Sequence, residues 1–442
     1  MRYFLLLLLP ANIFAAAFSY SGDWRAEVGN YHDISLSKTN AGQVSADYLD
    51  PTNVNYNPHA VSHTKTYWLQ RFKLKPDLIV YDNVRVNSEW MLLAGSALNS
   101  TSLGGQTGNY SAGTVMGSDN IQAKLFIRRL WLEWSSDWGV FQMGRQPFNF
   151  GLGMTYNSGD GLWDYYGESV DRISYKLMMG SVSLKFGYEI LAEGAVNYYN
   201  DDQNGFMTEF DYSDPESNVD MGFLWHMYFA SGQRKEHTYD VFQRKLFPTT
   251  GITVGWEATY QKGQMPDQNG NNTMDQVQAF GLLFDFLWKP GASEFGVKTG
   301  LATGDNNPGD GKYYTFSFSR AYKIAMLLFN EDLGVGGDSV HGSQGIGADF
   351  NGLGAIFIAP TFSYTFMESL KVGTTLAYAM TQKRPETGTK KKSLGTELDI
   401  DATYKWKENL ETGLRMGWFF PSNYFSERAT AMGLMATVAL TF

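Results

Sequence analysis

Residues 430–442 alternate with period two up to the last residue of the sequence. Met432, Leu434, Ala436, Val438, Leu440 and Phe442 fall on one face of an extended strand; Ala431, Gly433, Met435, Thr437, Ala439 and Thr441 fall on the other. A helix would mix the two sets, so the segment is a strand with one greasy face and one small or polar face. The pattern recurs. Val182, Leu184, Phe186, Tyr188 and Ile190 oppose Ser183, Lys185, Gly187 and Glu189. Ile252, Val254, Trp256, Ala258 and Tyr260 oppose Thr253, Gly255, Glu257, Thr259 and Gln261. Leu398, Ile400, Ala402, Tyr404 and Trp406 oppose Glu397, Asp399, Asp401, Thr403 and Lys405. Leu410, Leu414, Met416, Trp418 and Phe420 oppose Glu411, Gly413, Arg415 and Gly417.

So many two-faced strands need either a large shared core or lipid. The chain has no cysteine to staple it, and beyond the first residues no apolar run reaches the ~18 residues of a spanning helix. It carries 12 Trp, 26 Tyr and 30 Phe, the load expected where lipid-facing residues alternate with wet ones and aromatics gather at the membrane interfaces. In lipid every backbone polar group must be paired within the structure, which a closed ladder achieves. The fold expected is all-β: a transmembrane, antiparallel, up-and-down β-barrel. The start reads as a secretory signal peptide over 1–17: basic Met1-Arg2, a short apolar run to Phe14, then Ala15-Ala16-Ala17 for cleavage. The remainder, 18–442, shows no linker or composition break and reads as one barrel. A net charge of −10 speaks against a nucleic-acid partner.

Strands are expected at 22–33, 63–75, 77–94, 121–135, 138–148, 168–179, 181–193, 204–213, 218–230, 236–247, 250–262, 273–289, 292–303, 350–367, 370–382, 395–406, 409–420 and 429–442, eighteen in all. Segments 204–213 and 236–247 are weakly patterned; without both the count is sixteen, and even parity forbids losing one. Tight turns at Lys75-Pro76-Asp77, Met179-Gly180, Pro248-Thr249-Thr250, Lys289-Pro290-Gly291 and Glu368-Ser369 alternate with long polar stretches at 34–62, 95–120, 149–167 and 304–349. Short periplasmic turns and long outer loops would put both termini in the periplasm. The loop 304–349 contains Ala321-Tyr322-Lys323-Ile324-Ala325-Met326-Leu327-Leu328-Phe329, too greasy to stand in water. It folds either into the lumen or as a cap on its neighbours.

The face opposite the greasy one should line the lumen. It carries Arg71, Lys73, Arg85, Arg172, Lys176 and Lys185 early in the chain, and Glu257, Glu397, Asp399, Asp401 and Glu411 late, with Lys371, Lys405 and Arg415 among them. Strict alternation fails at Arg128-Arg129, where a β-bulge would return Leu125, Ile127, Leu130 and Leu132 to lipid. A mainly basic wall would then face a more acidic one, creating a transverse field that tunes ion selectivity. The run Val140-Phe141-Gln142-Met143-Gly144-Arg145 leaves the face of Arg145 open.

Three segments, Val140-Phe141-Gln142-Met143-Gly144-Arg145-Gln146, Trp256-Glu257-Ala258-Thr259-Tyr260-Gln261-Lys262-Gly263 and Leu301-Ala302-Thr303-Gly304-Asp305-Asn306-Asn307-Pro308-Gly309-Asp310, follow one another at a familiar spacing. In order and character they resemble the alginate-export-like family of outer-membrane porins, and the terminal strand resembles the closing strand of such barrels. The resemblance covers 120–310 and the barrel ends. It implies eighteen strands, an arginine-rich passage, Arg145 and, by position, Arg129 as pore-lining cations, and Phe442 as part of the assembly signal read by the barrel-assembly machinery. Acids dilute the basic residues, so the resemblance does not name the cargo.

The six histidines lie in no nucleophile motif, and no enzyme is expected. Asp267-Gln268-Asn269-Gly270-Asn271 and Asp305 to Asp310 cluster oxygens as calcium sites do. Neither completes an EF-hand, and both read as turns, with loop calcium the alternative and no other cofactor or metal expected. The function expected is passive diffusion of small, anionic or sugar-like solutes through an outer-membrane pore. A polysaccharide exporter or a plugged structural barrel is the alternative. Outer-membrane lipid is the surrounding partner, and monomer or trimer is left open.

Overall fold

A computed structural model describes residues 17–36, 64–97, 124–192, 203–230, 234–266, 274–331, 333–334, 343–386, 388–426 and 428–442. Nineteen strands form one sheet: β1 (Ala17–His32), β2 (Thr64–Tyr81), β3 (Val84–Ala97), β4 (Lys124–Ser136), β5 (Gly139–Pro147), β6 (Ser169–Met179), β7 (Val182–Ala192), β8 (Gln203–Asp214), β9 (Val219–Ala230), β10 (Arg234–Phe247), β11 (Ile252–Pro266), β12 (Met274–Trp288), β13 (Ser293–Ala302), β14 (Lys312–Tyr313), β15 (Ala355–Met367), β16 (Leu370–Met380), β17 (Ser393–Lys407), β18 (Leu410–Pro421) and β19 (Ala431–Thr441). All but β14 are long and pair antiparallel with their neighbours. The two-residue β14 runs parallel to β12 beyond the end of β13. β1 pairs with both β2 and β19, so the eighteen long strands close into a barrel with no free edge.

Both weakly patterned segments are barrel strands, β8 and β10, and the sixteen-strand alternative falls away. The turn expected at Lys75-Pro76-Asp77 does not form. β2 runs straight through it because β1 keeps pairing alongside, with Tyr20 opposite Pro76. Pro76 brings no N–H to the ladder. Its carbonyl instead accepts the Ser88 hydroxyl at 2.8 Å, and the chain reverses at Asp82-Asn83. The bulge at Arg128 is present: Glu89 pairs with Arg129, and the next pair is Trp90 with Ile127. Both arginines are thereby buried inward, while Ile127, Leu130 and Leu132 stay exposed on the outer wall.

Elsewhere the faces follow the alternation. Trp134, Phe186, Tyr188, Ile400, Leu434 and Leu440 are exposed on the outside, where lipid meets them, and Glu189, Glu257, Glu397 and Asp399 are buried inside. Short connections gather at one end, and that end also holds the start of β1 and the end of β19; in barrels of this kind it faces the periplasm. At this seam the Phe442 N–H donates to the Gly22 carbonyl at 3.1 Å, and the Gly22 N–H donates to Phe442 O at 2.9 Å. The Phe442 ring stacks on Phe72 with 5.8 Å between centroids.

The inner face from β12 to β19 is unusually shallow. Ala279, Ala302, Ala355, Ala377, Ala379 and Ala431 point inward there. A Cβ on Gly281 would lie 2.2 Å from the Phe316 ring, so only glycine admits that ring. These small residues leave space for chain inside the barrel.

Candidate permeation site

Two connections fill that space. The first, 148–168, leaves β5 and folds into the lumen. Its turn at 152–155 lies against the wall at Glu257, whose carboxylate accepts the N–H groups of Leu152 (2.5 Å), Met154 (3.4 Å) and Thr155 (3.2 Å). Thr155 and Thr259 hydroxyls meet at 2.7 Å. Tyr156 bonds His226 Nδ1 at 2.8 Å, His226 Nε2 lies 2.9 Å from Glu189, and Arg172 donates to the same carboxylate at 2.5 Å. The far side of the connection presents carbonyls, and there the wall supplies cations. Arg128 donates to Ser158 O at 2.7 Å, and Arg129 bonds the same oxygen. Arg71 reaches Leu162 O and Asp164 O, each at 3.1 Å, and Arg25 bonds both carbonyls as well. Tyr165 donates to Glu27 at 2.5 Å, and Trp163 Nε1 to Glu411 at 3.2 Å.

The division has a simple cause. A non-helical segment inside a barrel has many orphan backbone groups, each costly if left unpaired. Carboxyl oxygens satisfy N–H and guanidinium groups satisfy C=O, and the guanidinium bonds are charge-assisted.

The described residues of the second connection, 303–354, are likewise held by wall carboxyl groups. Met326 N donates to Asp399 at 2.8 Å; Leu327 N and Leu328 N donate to the two Glu397 oxygens at 2.7 and 2.6 Å. Phe316, Phe318, Leu327 and Leu328 are fully buried against the shallow inner wall. The described residues of the loop expected as either constriction or cap therefore enter the lumen. It meets the first connection where Ser319 N donates to Met154 O at 2.6 Å and Arg320 donates to the Tyr166 hydroxyl at 2.7 Å. The Thr303-Gly304-Asp305 motif opens it. Thr303 Oγ1 donates to Tyr314 O and accepts the Phe280 N–H, and the Asp305 carboxylate accepts the N–H groups of Asn307 and Tyr314. Residues 267–273, with the other oxygen-rich turn, and most of the stretches 34–62 and 95–120 lie outside the described residues.

The sequence-predicted residues divide into groups. Arg71, Arg129 and Arg172 point inward but are buried and paired, with Asp23 (2.7 Å), with Glu89 and Asp160 (3.3 and 2.6 Å) and with Glu189 (2.5 Å). Lys176 pairs with Asp211 at 3.2 Å, and Lys185 is half-buried on the same wall. Arg85 is exposed beside the short-turn end, away from these pairs. Arg145 is on the other side of the wall. It stands in register with Leu130 and Asp171, the latter beside Ile190, and both Leu130 and Ile190 are exposed outside. Its guanidinium bonds Asp171 at 2.5 Å, so Arg145 does not line the lumen. Glu257, Glu397 and Asp399 hold loop backbone, whereas Asp401 is only half-buried, opposite Arg415. Sequence reasoning missed Arg25, Glu27 and Glu89 as site residues, although the alternation of β1 and β3 already places them inward. At the short-turn end the lumen opens into a cavity of about 340 Å³, lined by Lys176, Asp211, Asp220, Phe242 and Arg244 beneath Gly151.

Glu89 lies between Arg128 (2.7 Å) and Arg129 (3.3 Å) with all three buried. Replacing Glu89 by Ala leaves two buried guanidinium groups without their shared acid. The expected loss is about 3–5 kcal/mol, measured as a lower urea midpoint for the folded barrel; an unchanged midpoint would refute the anchoring role.

Asp160 lies on the inward loop. Burial would raise its carboxyl, but the Arg129 charge and hydrogen bond, the Ser158 hydroxyl and Lys75 overcome this and hold it at about 2. A depressed acid contributes stability above its unfolded value near 4, and that contribution disappears as pH falls towards 2. Hydrogen exchange at 158–164 should therefore show loosening only below about pH 4. Asp160→Asn should show the loosened state already at neutral pH; identical profiles would refute this contact.

No family model matches the chain, and no curated protein matches its sequence. Solved structures do. Pseudomonas aeruginosa OccK9 (OpdG) superposes with a TM-score of 0.58 at 12% identity, covering 96% of this chain and 98% of that one. Pseudomonas aeruginosa OccK5 (OpdH) gives 0.55 at 12% identity over 96% and 98%. The outer membrane protein OpdK of the same organism gives 0.55 at 12% identity over 96% and 99%. At such identity the likeness is one of fold. Together with the closed ladder and its greasy exterior, it makes this chain a multi-pass β-barrel of the bacterial outer membrane with the eighteen-strand fold of porins.

Proposed function

We propose that the chain is a passive channel for small polar solutes, with a preference for anions. The observation that carries this reading is a charged lumen narrowed by two anchored connections, with exposed cations on its wall, Arg415 among them. Arg415 points inward from β18, between Asp401 and Met435 in register. It is exposed, in contrast to Arg71, Arg129 and Arg172, which are buried beside acids. A buried, neutralised guanidinium sets the position of a loop; an exposed one attracts solute. Arg85 and Lys405, exposed towards the short-turn end, would extend the attraction.

A structural neighbour of this chain, OpdK, has been solved with vanillate, an aromatic carboxylate. Small anions of that size suit a lumen crossed by two connections better than a polymer does. The narrower resemblance to alginate-export barrels rests on 140–146, 256–263 and 301–310, and loses Arg145 as a pore cation. The test is single-channel conductance in a planar bilayer under a salt gradient. A steady current with anion preference is expected, and Arg415→Gln should reduce the reversal potential more than Arg172→Gln. A sealed barrel would refute the channel; equal effects of the two variants would refute the role of Arg415.

A further inference from the structure

The outer wall carries an unexplained row of cations at its long-loop end. Lys235, Gln264, Gln276 and Lys312 stand side by side on β10, β11, β12 and β14. One step towards mid-membrane, His237, Lys262 and Gln278 form a second row. Below that come Tyr239, Tyr260 and Phe280, the last two exposed to lipid at 42% and 36%. The alternate residues Glu236, Asp275 and Val277 are buried inward, which fixes the lysine rows as outward-facing.

Among the described residues no ion pair neutralises these cations, whereas some other outward charges are paired. Arg145 has Asp171 on the same face. No described acid shares the register positions of the two lysine rows; the near acid in sequence, Asp310, accepts the Lys312 backbone N–H at 3.0 Å. The rows are also built from below. Trp225 Nε1 donates to His237 Nδ1 at 3.3 Å with the rings stacked, and Lys262 Nζ lies 5.7 Å from the Tyr239 centroid. Charge on a lipid-facing wall is tolerated at the interface and not at its centre. Near an anionic headgroup layer it becomes attractive.

We propose that this face binds a phosphorylated glycolipid of the outer leaflet, its phosphates on Lys235, Lys262 and Lys312 and its acyl chains along Tyr260, Phe280 and Leu282. At ~4.8 Å per strand, the lysines that end the first row are about 14 Å apart, a span for separate phosphate groups on one sugar headgroup. The glutamines between them offer amide donors to sugar hydroxyls. The greasy surface directly beneath selects an amphiphile over a free anion.

The test is native mass spectrometry of the full barrel in detergent. The probes are diphosphoryl lipid A, the same lipid stripped of phosphate, phosphatidylcholine and inorganic phosphate. Retention of the diphosphorylated lipid alone is expected. It should weaken by about a hundredfold in Lys235→Gln/Lys262→Gln/Lys312→Gln, while Lys245→Gln, on the outer face at the opposite end, leaves it unchanged. Equal retention of the stripped lipid would reduce the face to a plain hydrophobic belt, and displacement by inorganic phosphate would make it a free-anion site; either overturns the proposal. Should the triple variant fail to fold, Lys262→Gln and the salt dependence of wild-type binding decide, since salt-insensitive retention is incompatible with phosphate contacts.

Discussion

Replacing residues 316–331 with a short Gly-Ser linker is expected to raise single-channel conductance several-fold and leave the barrel closed. The segment occupies the lumen along β12 to β19, where the wall is shallow and its own side chains fill the room. Current through a pore is limited by its narrowest section, so removing a body that includes Phe316, Phe318, Leu327 and Leu328 widens that section directly. The barrel should survive because the loop contributes nothing to its closure: β13 pairs with β15 over ten residue pairs, from Ser293–Tyr364 to Ala302–Ala355. Planar-bilayer recording of the variant decides. Unchanged conductance would show that ions pass elsewhere, beside the first connection. Glu397→Gln offers a gentler version. It replaces one of the two oxygens that accept Leu327 N and Leu328 N with an amide donor, and should convert a steady current into one that flickers as the segment leaves and returns.

Deleting Phe442 is expected to abolish most insertion into the membrane. The residue closes the seam twice, by exchanging backbone hydrogen bonds with Gly22 and by stacking on Phe72. Without it the last pair of the β1–β19 ladder is Thr441 with Asp23, and the Gly22 N–H and carbonyl lose their partner at the membrane edge, where unpaired backbone is costly. If Phe442 is also part of the assembly signal, the loss should be larger in cells than in detergent refolding. Heat-dependent gel mobility in both settings measures this. Normal insertion in cells would refute the signal, and normal refolding would limit the role of the seam.

The barrel itself was legible because its determinants are local. Period-two alternation assigns each residue to lipid or lumen without knowledge of any partner, and closure requires an even strand count, which retained β8 and β10 despite their weak patterns. Even the bulge at Arg128 could be read, since only an extra residue reconciles Ile127 with Leu130. Lys75-Pro76-Asp77 misled because its turn chemistry is real, yet β1 offered a continuing partner and the ladder outweighed one missing N–H. Arg145 misled because a motif does not state a face; its register with Leu130 and Asp171 does.

What the sequence by itself determined, then, is the barrel, its inside and its outside, and which residues carry charge inward. What those charges do was decided only by tertiary structure. Glu257 meets Leu152 across 105 residues, Glu397 meets Leu327 across 70, and Trp163 meets Glu411 across 248. No spacing rule reaches so far. The expected pattern of a basic wall facing an acidic one becomes a set of anchors, because two connections enter the lumen and their orphan N–H and C=O groups need partners of opposite polarity more than solute needs a field. Closure brings those partners together, and burial makes their pairing obligatory.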